Sequence, residues 1–225
     1  MSVPSVPPIT PARAGPLAER SSLKRLRALL LDEGGMMASL VGFPFDPPSG
    51  DSDGIGGVGE SIKNTAADSD GYTGLTADTA PVIGPAQLAA SGPRAEGGRE
   101  DYELVVEAIY EGYLLHYGTS RVVRVPEADL GLLAGDQLYA IGLARLVDLG
   151  DTEAVAELAD MITLSALAQG AGEPELADAV WTAGARAVGW GSSDAHRRAK
   201  ELAFAGAAEA IEAMRTSAAG LSASP

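Results

Sequence analysis

LGLLAGDQLYAIGLARLVDLGD, residues 130–151, decides the fold. The run reads as one long helix with an almost uncharged face, carrying Gly131, Ala134, Gly135, Ala140, Gly142 and Ala144. Small residues at that density let a neighbouring helix approach closely, so the segment is expected at the buried centre of a helical domain. Gly150 ends it, and Asp151 or Thr152 caps a second helix in which Val155, Leu158, Ala159, Ile162 and Ala166 recur at helical spacing. Upstream, REDYELVVEAIYEGYLLHYG (99–118) is a third helix that stops at Gly118. SRVVRV (120–125) has strand propensity but reads as an isolated extended connection, which Pro126 breaks. Downstream, Pro174 opens a fourth helix, and Ser193 caps a fifth that runs to about Ala213 before a Ser/Ala tail. The expectation is a small all-α domain of five helices over 99–225.

What precedes that domain is different in kind. Residues 46–98 are dominated by Gly, Ser, Pro, Ala and Asp without sustained apolar periodicity, and read as a flexible linker. Residues 1–45 read as an arm: a Pro-rich start, then a short amphipathic helix from Ser21 or Ser22 through LKRLRALLLDE, then GGMMASLVGFPF. Leu23, Leu26, Leu29 and Leu30 share one face, with Lys24, Arg25 and Arg27 on the other. With Phe43 and Phe45, those leucines make a candidate partner-docking segment, tethered by a linker whose root-mean-square reach is about 40 Å. The competing reading is that 21–45 folds back into a groove on its own domain. A third, weaker reading lays the basic helix on a membrane surface.

Charge narrows the classes of partner. The chain carries a net −15, distributed as +2 over residues 1–42, −6 over 43–98 and −11 over 99–225. An acidic domain repels phosphate backbones, which argues against nucleic acid as a partner. Cysteine is absent, which removes disulfides, thiolate nucleophiles and Cys-ligated metals. Neither a signal peptide nor a run of roughly 20 apolar residues is apparent, so the expected setting is cytoplasmic.

The run LLAGDQLYAIGLARLVDLGDTEAVAELADMITLSALAQG resembles the part of polyprenyl diphosphate synthases where a Leu-x-Gly-Asp helix leads into a second helix. Gly135 and Asp136 match the Gly-Asp. YLLHYG, with His116 ahead of that helix, is similar to the Leu-x-x-His element of heptaprenyl diphosphate synthase component I. The resemblance spans residues 104–172 and implies that the domain shares part of the polyprenyl synthase fold. Catalytic members hold magnesium on two aspartate-rich motifs, which neutralise the diphosphate leaving group. No DDxxD occurs in this chain; where the first motif would stand, the acids are Glu107 and Glu111, on one helical face at i, i+4. Component I chains also lack the motifs and work beside a catalytic subunit. The resemblance therefore implies a non-catalytic subunit that binds a protein partner through its helices, with no cofactor and no metal of its own. An adaptor in an unrelated complex is the alternative, as is a prenyl-lipid-binding protein or enzyme using Glu107, Glu111 and His116.

Other constellations read as structure. Gly54-Ile-Gly56-Gly-Val-Gly59 spells a dinucleotide loop, but no strand precedes it and no helix follows. The Asp-Ser-Asp triplets at 51–53 and 68–70 have no acid at the twelfth position of a calcium loop. Ser193, Asp194 and His196 are triad residue types crowded into one turn, which a helix cap explains. Trp181 and Trp190 read as core, and Arg197, Arg198 and Lys200 as a solvated basic face.

Overall fold

The computed structural model describes residues 18–41 and 83–220, and every regular element within them is helical. In chain order these are α1 (Ala18–Glu33), α2 (Gly35–Val41), α3 (Pro85–Ala90), a 3-10 turn (Pro93–Ala95), α4 (Arg99–Tyr117), α5 (Ala128–Asp148), α6 (Thr152–Ala171), α7 (Pro174–Trp190), α8 (Asp194–Phe204) and α9 (Ala210–Gly220). Phe43, Phe45, the glycine run 54–59 and both Asp-Ser-Asp triplets lie outside the described residues.

The local signals acted where they stand in the sequence. The Asp151 carboxylate accepts from the Ala154 N–H at 3.0 Å and caps α6. Ser193 accepts from the His196 N–H at 3.1 Å and caps α8, so the triad-like spelling there is a capping motif. Gly118 ends α4, and Pro174 opens α7. The fifth expected helix is instead two, because Gly206 takes φ +63° and turns the chain between α8 and α9.

Two features depart from the sequence reading. Residues 83–98, assigned to the linker, form α3 and the 3-10 turn and belong to the core: Ala86, Ala89, Ala90 and Ala95 are buried. A Cβ on Gly92 would fall on the Gly189 backbone, so α3 meets the end of α7 through facing glycines. Small residues that composition reads as loop are here what permits the approach. The second departure concerns the centre of the domain. That place belongs to α7, buried along most of its length from Leu176 to Gly189 and packed on α3, α6 and α9.

α5 is instead buried on one face. Its small residues divide: Gly131, Ala134, Gly135 and Gly142 turn inward, whereas Ala140 and Ala144 are exposed. A Cβ on Gly112 of α4 would meet the Gly135 carbonyl oxygen at 2.9 Å, and one on Gly142 would strike Ile109. Residue 116 lies against 135, and 109 against 142, so α4 and α5 run antiparallel in glycine-mediated contact. α5 is also, among the described residues, the one helix long and apolar enough to cross a bilayer, with mean hydropathy 1.3. One such helix is also what the core of a soluble bundle supplies.

Two apolar clusters result. The larger joins α3, α4, α6, α7, α8 and α9 with Leu146 of α5, and contains no residue of α1 or α2. The smaller seats Leu26, Leu29, Leu30, Met37, Leu40 and Val41 on Ala108, Val123, Ala134, Leu138 and Ile141. The leucines read as a partner-docking face are therefore occupied within the chain: Leu26, Leu29 and Leu30 are buried, and Leu23 half-buried. The fold-back reading describes α1 and α2, because the α4–α5 pair leaves an apolar trough that their leucines fill.

Candidate functional site

His116, Gly135 and Asp136, which carry the family resemblance, come together where α4 crosses α5. A Cβ on Gly135 would land on Cδ2 and Nε2 of the His116 ring, so the glycine makes the seat for the imidazole. His116 Nε2 lies 3.3 Å from Asp136 Oδ1, and its ring tilts against Tyr117 and Tyr139. Asp136 is exposed and reaches the neighbouring helix. The trio works as a helix-to-helix joint.

Glu107 and Glu111 lie one turn apart on α4 and are only 1 % and 0 % exposed. The connection after α4 returns over them and brings Arg121 between the two carboxylates. Its guanidinium pairs with Glu107 and donates to Glu111 Oε2 at 3.1 Å. Glu111 Oε1 also accepts from the backbone N–H groups of Arg121 and Val122, both at 2.7 Å, and from the Ser120 hydroxyl at 2.5 Å. Glu107 accepts from the Ser22 hydroxyl of α1 at 3.0 Å. Burial pushes the Glu107 carboxyl up, against the pull of Arg121 and Ser22. Burial also opposes the charge on Arg121, but the two carboxylates outweigh it and raise its pKa. The carboxylate lone pairs a divalent cation would need are turned to a guanidinium, a hydroxyl and backbone amides. Sequence alone placed the two acids on one face; it did not reveal Arg121, whose role depends on how the 118–127 connection folds.

A second buried ionic group lies between α6, α8 and α9. His196, 1 % exposed, stands 2.5 Å from Glu157 Oε1 through Nε2 and 3.2 Å from the Ser217 hydroxyl through Nδ1. Lys200 donates to Glu157 at 2.8 Å and to Asp160 at 2.7 Å. Burial pushes the Glu157 carboxyl up, but hydrogen bonds and charge from His196 and Lys200 hold it below the ordinary range. Lys200 is thus not part of a solvated basic face, although Arg197 and Arg198 are exposed. Acid, imidazole and hydroxyl stand in the order of a relay. The Ser217 hydroxyl, however, donates to the Met214 carbonyl at 2.8 Å and is buried within α9, out of reach of a substrate. Among the described residues, no group of three or more His, Asp or Glu side chains is placed to hold a metal ion.

Among the described residues, the outward side of α5 carries a run of exposed uncharged side chains. Leu133, Gln137, Ala140, Ala144 and Val147 follow one another at alternating steps of four and three residues, all exposed and all uncharged. Leu133 is 59 % exposed and Val147 58 %. Beside them runs a shallow open groove of about 410 Å³, lined by Glu33, Gln137, Ala140, Ile141, Ala144, Arg145 and Asp148. No protein-family model, curated protein or solved structure matches the chain.

Proposed function

We propose that this chain is a non-catalytic helical subunit that docks on a protein partner through the outward face of α5. The partner we assign is a prenyl diphosphate synthase chain, on the strength of the Leu-Ala-Gly-Asp helix and the preceding His116 element. The observation that carries the docking reading is the strip from Leu133 to Val147. It has the spacing of a helix seam, small residues at its middle and larger apolar ones at its ends, on a helix whose opposite face is already packed. The salt-bridged Glu107–Arg121–Glu111 group supports the non-catalytic half of the proposal, since its carboxylates are already committed.

Co-expression of the tagged chain with the prenyl diphosphate synthase of the same host tests this. The expected result is stoichiometric co-purification, lost in Ala140→Arg/Ala144→Arg and retained in Leu167→Arg, a substitution at an exposed leucine on α6. Absence of the synthase from the wild-type eluate refutes the partner. Retention of the synthase by Ala140→Arg/Ala144→Arg refutes the face.

A further inference from the structure

We infer that the partner surface seated on α5 is rimmed by Lys or Arg side chains, and that Asp136 and Asp148 are the residues that select it. This rests on the docking role proposed for α5 and names the chemistry of the occupant.

The charges around the strip carry the inference. Asp136 stands three residues after Leu133 and four before Ala140, with its side chain 69 % exposed. Asp148 stands four residues after Ala144 and is also exposed. At the helical rotation per residue, the two fall about 60° to either side of the centre of the strip. Asp129 stands four residues before Leu133 on the Asp136 edge, about 10.5 Å along the helix from Asp136. On the other edge, Asp148 and Glu33 of α1 line the open groove, where the cation is Arg145, 3.8 Å from Glu33. Four exposed carboxylates against one guanidinium leave the rim negative around an uncharged centre. The helix itself explains only one of these acids. Asp129 lies in the first turn of α5, where the helix dipole favours a carboxylate. Asp148 is the last residue of α5, where the same dipole opposes it, and among the described residues no cation is paired with it. An acid held there against the local energetics, at the border of an uncharged strip, fits recognition of a basic rim. Charge also decides between occupants. A second copy of the chain would bring the same acidic rim against itself, on a body that carries −11 over residues 99–225. Two copies therefore repel, whereas a basic-rimmed surface is drawn in.

Stopped-flow association of the full chain with the prenyl diphosphate synthase of the same host tests this. Association is expected to slow as NaCl is raised, because the screening length shortens from about 10 Å at 0.1 M to about 3 Å at 1 M. Asp136→Lys/Asp148→Lys is expected to associate about tenfold more slowly than wild type at the lower salt, with the difference closing at the higher. Asp136 also touches His116, so Asp148→Lys is measured alone and is expected to associate about threefold more slowly. Glu201→Lys/Glu209→Lys makes the same change of net charge at exposed acids of α8 and of the turn before α9, and is expected to stay within about twofold of wild type. Wild-type association that ignores salt, or an α5 variant that associates as fast as the Glu201→Lys/Glu209→Lys control, overturns the inference and leaves the docking role of α5 standing. A wild-type chain that does not bind the synthase overturns both. A homodimer of the wild-type chain in light scattering, disrupted by Ala144→Arg, would assign the strip to a second copy and overturn the basic-rimmed partner.

Discussion

Replacing Arg121 by methionine keeps the length of the side chain and removes the one guanidinium that serves Glu107 and Glu111. The two acids are left unequally supplied. Glu111 retains the backbone N–H groups of residues 121 and 122 and the Ser120 hydroxyl, whereas Glu107 retains the Ser22 hydroxyl. Breaking a buried pair by removing one partner costs about 3–5 kcal/mol. The upper end of that range is limited by protonation, because each unit by which the Glu107 pKa rises accounts for about 1.4 kcal/mol. For a chain of this size, each kcal/mol lowers Tm by about 2–4 °C, so Arg121→Met should melt roughly 10 °C below wild type at pH 7.

The pH dependence has a definite sign. The folded-state pKa of Glu107 is already raised and rises further without Arg121. Its contribution to stability is then present below the unfolded-state pKa and lost as pH rises through the folded one. The deficit of Arg121→Met relative to wild type should therefore shrink between pH 7 and pH 5. Glu107→Gln in the Arg121→Met background should recover most of the loss, since it removes the stranded charge. Thermal unfolding followed by circular dichroism at the two pH values reads all of this. A loss under about 1 kcal/mol at pH 7, or a deficit that grows as pH falls, would refute the reasoning.

Two further perturbations probe the joints of the fold. Gly135→Ala places a methyl group on the His116 ring and forces α4 and α5 apart, at a cost of about 1–3 kcal/mol by urea unfolding; His116→Ala should relieve part of it. The Glu157 carboxyl is held below its ordinary 4.5, so its contribution is present above that pH and lost as pH falls through the depressed value. Acid unfolding should accordingly be less steep below pH 4.5 in Glu157→Gln than in wild type, with a lower starting stability at pH 6.

What could be read in the sequence depended on how local the determinants are. Ser193 and Asp151 cap helices through amides three residues on, so their roles follow from their neighbours. The close approach at 130–151 was legible from its glycines, but the division of its small residues was not. Ala134 is buried and Ala140 exposed on a helix apolar on both sides, and periodicity cannot rank two apolar faces. Gly206 is visible in the sequence, but only its left-handed backbone shows that it separates α8 from α9. The alanines of 83–98 failed for the opposite reason, since composition typical of a linker was serving a glycine-to-glycine contact with α7. The candidate site was legible as residue types and not as chemistry. His116, Gly135 and Asp136 were singled out by the resemblance and not by any reading of their contacts, whereas Glu107 and Glu111 depend on Arg121 and Ser22, and Ser22 is 85 residues from Glu107 in sequence.

The proposal that α5 presents a docking face to a prenyl diphosphate synthase chain is tested most directly by calorimetric titration of the purified chain against that synthase. Wild type is expected to bind with 1:1 stoichiometry, and Ala144→Arg to give no measurable heat at an unchanged Tm, since residue 144 is exposed on the outward face. Wild-type protein that gives no heat, or Ala144→Arg that binds as wild type does, would contradict the account.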